Sequence, residues 1–283
     1  MNNDNVLGYL HEDFKFFYIK DRSKLDFDYH HHDFNKIVIL LDGDLTYIIE
    51  GNSYTLRPWD ILLVGENQIH KPIVNPDKTY ERIIFWLKPE DKLLLNCFNI
   101  AKNDKNQSLR LSMTEIKTIK DMLINIRNCQ DDNSFGNEIL NKALFMQFMV
   151  HINRLFLENK HTLENKSIHF DKTIDKVITF IENNLDQRLN IDSIASECYI
   201  SKYYLMRKFK SAMGVSIHNY IINKRLILAR TLILEGHALG EVSIKCGFND
   251  YSTFVRSFKK FYNISPSQYS SSLNNFDDDV TFE

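Results

Sequence analysis

Cysteine is scarce: four residues in 283, at positions 97, 129, 198 and 246. Cys97 and Cys129 are far apart in sequence, so no disulfide framework is expected, and free, buried thiols in a reducing compartment are. Long apolar runs are missing as well. The longest purely apolar stretches, residues 37–41 and 83–87, fall far short of a bilayer's thickness. Residues 1–5 are polar and carry no Lys or Arg, so no secretory signal is expected. A cytoplasmic chain with no membrane association is the expectation. Bulk positive charge is also absent, the net charge being −2. The sign is nevertheless uneven. Residues 171–275 carry 14 Lys+Arg against 9 Asp+Glu, whereas residues 1–170 carry 21 against 24. A modest basic excess confined to one segment suits phosphate contacts there, with salt-sensitive affinity.

That segment contains one helical pattern twice. Leu205, Arg207, Phe209, Lys210, Ser216 and Tyr220 recur as Phe254, Arg256, Phe258, Lys259, Ser265 and Tyr269, each 49 residues on. Upstream, Ala195 and Cys198 recur as Ser243 and Cys246 at an offset of 48, which places the extra residue between Cys246 and Asp250, in a turn. Self-similarity at a fixed period marks a repeated structural unit. Each copy reads as a short helix, a turn and a second helix. Ile191, Ile194 and Ala195 form the first apolar stripe, and Val242 belongs to its counterpart. Ser201 and Asp250 are placed to cap the second helices. Leu205 and Phe209, then Phe254, Phe258 and Phe261, face inward.

The opposite faces are donor-rich or flat. They carry Lys202, Tyr203, Met206, Arg207 and Lys210 in the first copy, and Tyr251, Ser252, Val255, Arg256 and Lys259 in the second. The DNA major groove admits a helix and shows a distinct edge for each base pair. Arg207 and Arg256 can each bond a guanine edge with two donors, and Met206, Val255 and the tyrosines can meet thymine methyls. Lys210 and Lys259 suit phosphates. The alternative is the solvated surface of a helical bundle; paired arginines and paired lysines at equivalent positions speak against it. Between the copies, Gly214 and Ser216 stop one helix and cap the next. The helix that follows, to about Leu234, spans roughly 27 Å at about 1.5 Å per residue. Successive major grooves lie ~34 Å apart. Asn263 replaces Gly214 as a left-handed cap, and Ser265-Pro266 opens a last helix.

Ala195, Ser201, Leu205, Arg207, Phe209, Gly214, Ser216, Tyr220, Arg225, Ala229, Gly247-Phe248, Phe254, Arg256, Phe258-Lys259, Ser265-Pro266 and Tyr269 together resemble the DNA-binding domain of the AraC/XylS family of bacterial transcription regulators. The resemblance covers about a third of the chain. Ser243 and Asn263 depart from the family's usual alanine and glycine. It implies a two-headed DNA reader joined to a regulatory domain that dimerises, with activation the commoner habit.

Residues 14–19, 37–41, 46–49, 54–56, 61–64, 70–74 and 82–87 are short β-prone runs. Asp42-Gly43-Asp44 and Glu50-Gly51-Asn52 punctuate them as hairpin turns. Residues 30–72 resemble a cupin-type jelly roll, through His30-His31-His32, the Gly51 hairpin, Pro58-Trp59-Asp60 and Ile69-His70-Lys71-Pro72. In catalytic cupins two alternate histidines, a glutamate and a later histidine hold a metal. His30, His32 and His70 match those histidines, but Lys36 occupies the glutamate position and repels a cation. A ligand pocket of His30, His32, Lys36, Tyr47, His70 and Trp86 is therefore expected, without metal or cofactor, for a small polar or anionic metabolite such as a sugar or an acid. Tyr47 and Trp86 are nearly as well read as core. His31 alternates to the other face, toward solvent.

Ser112-Met113-Thr114-Glu115 is a capping box, followed by Ile116, Ile119, Leu123 and Ile126 on one face. A second helix over about 137–159 has two apolar stripes: Leu140, Leu144, Phe148, Ile152, Leu155, and Ile139, Ala143, Met146, Val150. Two stripes need two partners. The barrel is one; the second is the same helix of another subunit, or else the helix lies buried in its own domain.

The reading is an α+β multidomain chain. Residues 1–160 form a cupin-like β jelly roll with a helical pair, for ligand and dimerisation. A linker spans 161–170, and 171–272 form an all-α domain of two helix-turn-helix motifs joined by a linker helix. An acidic tail closes it over 273–283. The function expected is that of a ligand-controlled, non-enzymatic transcription regulator, a homodimer whose partners are double-stranded promoter DNA, a small-molecule effector and RNA polymerase. The competing reading is a metal-dependent cupin enzyme fused to a DNA-binding module.

Overall fold

The computed structural model describes residues 13–21, 27–104, 106–130, 134–158, 168–169 and 171–274. The chain divides into two compact units, Met1–Phe170 and Asp171–Glu283. The expectations for residues 1–5, for 161–167 of the linker and for 275–283 of the tail lie outside the described residues.

In the first unit the strands are β1 (Phe14–Asp21), β2 (Asn35–Asp42), β3 (Leu45–Ile49), β4 (Asn52–Leu56), β5 (Ile61–Val64), β6 (His70–Val74), β7 (Tyr80–Leu87), β8 (Ser108–Leu109) and β9 (Ile168–His169). They build a five-stranded sheet, β1-β7-β2-β5-β8, and a four-stranded sheet, β6-β3-β4-β9, with antiparallel pairing throughout. The β3–β4 hairpin turns through Glu50 and Gly51, both left-handed at φ 46° and 78°. That is the two-residue geometry whose twist matches the flanking strands. At the β2–β3 turn, Gly43 has φ 118°, and a Cβ there would sit 2.4 Å from the Thr79 carbonyl oxygen.

Strand β2 is apolar without interruption from Ile37 to Leu41 because its sheet is covered on both faces. Ile37 and Ile39 join Leu63, Phe85 and the helices, while Val38 and Leu40 join Leu62, Tyr47, Ile49 and Tyr54 between the two sheets. The helices are α1 (Asn96–Asn103), α2 (Met113–Gln130) and α3 (Asn137–Glu158). The capping box forms as expected: Ser112 N–H donates to Glu115, and Glu115 N–H donates to Ser112 Oγ. Phe148, Ile152 and Leu155 of α3 enter the core beside Ile119, Leu123 and Ile126 of α2. Leu140, read as part of that stripe, is instead exposed at the helix start. In the other stripe, Ile139 is 77% exposed and Ala143, Met146 and Val150 are open too. Among the described residues, α3 is therefore covered on one stripe and open on the other. Residues 168–169, read as linker, instead pair with β4 as β9, a two-residue strand too short to leave a pattern.

The second unit runs α4 (Lys172–Glu182), α5 (Ile191–Glu197), α6 (Lys202–Met213), α7 (Ile217–Leu234), α8 (Leu239–Lys245), α9 (Tyr251–Tyr262) and α10 (Pro266–Asn274). The last helix carries order to residue 274, past the expected domain end at 272. Ser201 Oγ accepts from Tyr204 N–H and Asp250 Oδ1 from Thr253 N–H, so the two copies are capped alike. They also end alike, with Gly214 at φ 70° and Asn263 at φ 62°. Leu205, Phe209 and Met213 are buried in the first copy, and Phe209 meets Tyr220 edge-on at 5.3 Å. Phe254 and Phe258 pack with Leu226, Ala229, Val242 and Tyr269 in the second.

Candidate nucleic-acid interface and ligand site

Burying every third or fourth residue of α6 and α9 leaves the opposite faces in solvent. Lys202, Tyr203, Met206, Arg207 and Lys210 are all exposed, Tyr203 to 84%. Tyr251, Ser252, Arg256 and Lys259 are exposed on α9. Val255 departs from the expectation: it is half-buried and leans on the core of the second copy, since it adjoins Phe254 and Phe258 on a narrow helix. Arg207, Lys210 and Lys259 have no hydrogen-bond or ion-pair partner among the described residues, whereas Lys202 pairs with Asp192 at 2.8 Å. Arg256 Nη2 donates to Thr253 Oγ1 at 3.3 Å, and that hydroxyl donates to Asp250 at 2.8 Å. One cap residue thus starts α9 and braces its arginine. The motif reading found Asp250 but not this second task.

Both reading heads meet at one anchor. Arg225 of α7 reaches the loop between α4 and α5, donating to the Leu185 carbonyl at 2.9 Å and the Gln187 carbonyl at 2.6 Å. Gly247, in the α8–α9 turn, lies against the same loop at φ 73°; a Cβ there would sit 2.2 Å from the Leu185 oxygen. The equivalent turn residue in the first copy, Tyr199, is left-handed too (φ 58°) but points into solvent with Lys176 over its ring. A side chain is tolerated there because nothing crowds it. Arg188, His218 and Lys260 line a polar cleft between the heads, and the sequence reading did not include them.

In the first unit the six expected ligand residues converge. The His70 ring lies 4.3 Å from His30, 4.8 Å from His32 and 5.8 Å from Tyr47. Phe34, which the sequence reading missed, stacks on His32 at 4.1 Å and meets Trp86 at 4.8 Å. Its place between His32 and Lys36 was the available signal. Lys36 pairs in register with Trp86 and Val64, on the face that looks between the sheets. His32, Lys36, Tyr47 and His70 are buried; His30 and Trp86 are half-buried. His31 is half-buried rather than solvated, close enough for its charge to act on His32. Arg82 was also missed. It is buried, paired with Asp21 at 2.6 Å and stacked over Tyr80 at 3.9 Å.

Burial drives the pKa of His32 well below the ordinary imidazole value, and the charge of Lys36 adds to this. Burial does the same for His70, helped by His32, His30 and Lys36. Both rings are therefore neutral at pH 7. Nδ1 of His32 bonds the Phe34 carbonyl at 2.6 Å and Nδ1 of His70 the Gln68 carbonyl at 2.9 Å. The Nε2 atoms of both rings are buried without a hydrogen-bond partner among the described residues. An unmet buried polar atom costs about 1–3 kcal/mol. Among the described residues no three His, Cys, Asp or Glu side chains are grouped to hold a metal ion.

Comparison with known proteins finds a domain match in each half of the chain. A model of the AraC-like ligand binding domain matches residues 15–149, and a helix-turn-helix domain model matches residues 194–272. The chain belongs to the AraC family. It is a transcription regulator with a ligand-binding domain ahead of a DNA-binding one. The HTH-type transcriptional activator RhaS of Escherichia coli is 21% identical over 246 residues, covering 85% of this chain and 86% of RhaS. Among solved structures, fatty-acid-bound ToxT of Vibrio cholerae is 16% identical, covering 92% of this chain and 97% of its own, with a TM-score of 0.39. The C-terminal domain of the response regulator yesN from Fusobacterium nucleatum is 26% identical, covering 35% of this chain and 99% of its own, with a TM-score of 0.34. No helix among the described residues is long and apolar enough to cross a membrane.

Proposed function

We propose that this AraC-family regulator activates transcription from promoters at which α6 and α9 read two major grooves, under control of a sugar or related metabolite held between its β-sheets. The carrying observation is the pair of equivalent exposed faces bearing Arg207 and Arg256. On these faces Tyr203, Met206, Tyr251, Ser252 and the two arginines meet bases, while Lys202, Lys210 and Lys259 meet phosphates. Arg188, His218 and Lys260 add phosphate contacts beside the cleft. Activation is favoured by relatives named as activators. The protein acts in the cytoplasm, without enzymatic activity, and engages RNA polymerase at the promoter. The unit Met1–Phe170 serves as the effector domain, and the helices from Lys172 to Asn274 serve as the reading domain. Effector binding biases a two-state arrangement of these parts.

Shift assays with native promoter fragments, with and without candidate metabolites, test the reading. A tight, salt-sensitive complex that changes with one metabolite is expected. The absence of any sequence-specific complex would end it.

The protein pairs through α3, where Ile139, Ala143, Met146 and Val150 form a solvent-facing apolar stripe at helical spacing. An isologous pair of such helices covers both stripes at once. Val150→Asp, with Met146→Asp beside it, should shift the chain from dimer to monomer in analytical ultracentrifugation and leave its melting temperature within a few degrees. An unchanged sedimentation coefficient rules out this interface.

A further inference from the structure

Two buried imidazoles are held so that their protons can be placed. A backbone carbonyl only accepts, so the contacts of His32 Nδ1 to Phe34 O at 2.6 Å and of His70 Nδ1 to Gln68 O at 2.9 Å put each ring proton on Nδ1. A neutral imidazole carries one ring proton, which leaves Nε2 of each ring as an acceptor. The frame around them is itself cross-linked. His30 and His70 exchange both backbone hydrogen bonds, at 3.0 and 2.9 Å, and Asn67 N–H donates to the His32 carbonyl at 2.8 Å. Gln107 Nε2 donates to Gln68 Oε1 at 2.8 Å, steadying the residue whose carbonyl holds His70. Neither ring can turn over without breaking its bond to a carbonyl of that frame.

Both Nε2 atoms are buried and without a hydrogen-bond partner among the described residues, and the ring centres are 4.8 Å apart. A molecule that displaces water from such atoms has to donate in its turn, or it forfeits the hydrogen bonds it replaces. A hydroxyl donates; a hydrocarbon chain, an ether or a carboxylate does not. Flat apolar groups stand beside the acceptors: Phe34 stacks on His32 at 4.1 Å, and Trp86 lies 4.8 Å from Phe34. A few fixed polar atoms among aromatic faces are the usual make-up of a small-molecule site.

We propose that His32 and His70 are the specificity pair of the effector site, each accepting one hydroxyl proton of a sugar or sugar alcohol through Nε2. This rests on the reading of the barrel as the effector site, and it adds which groups of the effector are read: two hydroxyls, both as donors. Losing either donor leaves a buried acceptor unmet, which converts to about 5–150-fold in affinity.

Thermal-shift measurements on the full chain test it, with glucose, galactose, mannose, xylose, arabinose, rhamnose, fucose, sorbitol and mannitol as probes. Hexanoate, which brings no donor, and adenine, which donates only through N–H, are the controls. At least one probe should raise the melting temperature by several degrees, and the controls should not. Deoxyfluoro analogues of the responding probe then replace each hydroxyl in turn by an atom of similar size that cannot donate. Fluorine at two positions should weaken binding about 5–150-fold. His32→Asn and His70→Asn keep a side-chain N–H for the carbonyl and lack Nε2. The penalty at one fluorinated position should vanish in the first variant, and the penalty at the other in the second. Long-range 15N spectra of the unmutated chain need no variant. His32 and His70 should show protonated Nδ1 and bare Nε2, with both Nε2 signals moving when the responding probe is added. Protonated Nε2 on either ring, Nε2 signals that stay in place when a probe binds, an equal response to either control, or fluorine penalties that persist in both variants overturns the proposal. A small-molecule cell extract separates the two levels of failure. Stabilisation by the extract but by none of the probes rejects the sugar-reading pair and keeps the effector reading. No stabilisation by either rejects both.

Discussion

Gly247→Ala should break the register of the two reading heads and lower promoter affinity about 100-fold or more. The new methyl would sit 2.2 Å from the Leu185 carbonyl oxygen and 2.9 Å from Arg225 Nη2. Both atoms are already joined to each other's surroundings, since Arg225 holds the carbonyls of Leu185 and Gln187. A left-handed non-glycine residue costs roughly 1–2 kcal/mol by itself. Displacing a backbone oxygen and the guanidinium that bonds it adds to that, so about 3 kcal/mol is expected for the domain. At this size that lowers the melting temperature on the order of 10–20 °C.

The binding loss has a separate origin. Two linked reading heads gain about 10²–10⁴ over either alone, provided their geometry lets both engage. The anchor joins the first copy's loop, the connecting helix and the second copy's turn. Loosening it costs the linkage and spares each head. Affinity for a two-site fragment should therefore collapse below the melting transition, while affinity for a single half-site stays within a few-fold. Arg225→Met should do the same by removing the bonds instead of crowding them. Equal losses on both fragments would mean that the anchor only stabilises the fold.

That anchor also shows where sequence reasoning stops. The caps of α6 and α9 were legible because Ser201 and Asp250 act on residues three positions away. The left-handed ends at Gly214 and Asn263 were legible for the same reason. Arg225 carried no such signal. Its partners are 38 and 40 residues upstream, so the sequence marked it only as part of the family pattern and gave no hint of what it holds. Gly247 was recognisable as a turn glycine, but its necessity comes from Leu185, not from the turn, as the tolerated Tyr199 shows.

The first unit divides along the same line. Alternation and turn residues gave its longer strands, because both are local. Two-residue strands such as β8 and β9 are defined by their neighbours alone. Helix α1 was not anticipated; Asn and Lys interrupt its short apolar pattern, and only the docking of Cys97, Phe98 and Ala101 into the core defines it. The candidate ligand residues followed from motif spacing, and the fold does bring all six together. Which ring nitrogens face inward depended on carbonyl positions at Phe34 and Gln68, and no spacing rule carries those. Arg82 lay beyond reach as well, because its partner Asp21 is 61 residues away.

Loss of either reading arginine should relax sequence preference without unfolding the domain. Arg207 and Arg256 sit at equivalent points of two helices, exposed, each six residues past its capping residue, Ser201 or Asp250. A bidentate arginine–guanine contact is worth about 1–3 kcal/mol of discrimination, or roughly 5–150-fold. The two sites differ in preparation. Arg256 is braced by Thr253, itself held by Asp250, so less side-chain entropy is lost when it binds. Arg256→Ala should therefore fall toward the upper end of that range, and Arg207→Ala toward the lower. Lysine at either position keeps the charge but not the two-pronged geometry, so it should recover the salt dependence and little of the base preference. Lys210→Ala and Lys259→Ala should behave in the opposite way. Each should weaken binding to all sequences alike and reduce the salt slope by about one. Quantitative footprints of the four alanine variants across a salt series separate the two kinds of contact. If the arginine variants lose affinity uniformly over all sequences, both side chains touch phosphate, and the bases are read from another face of α6 and α9.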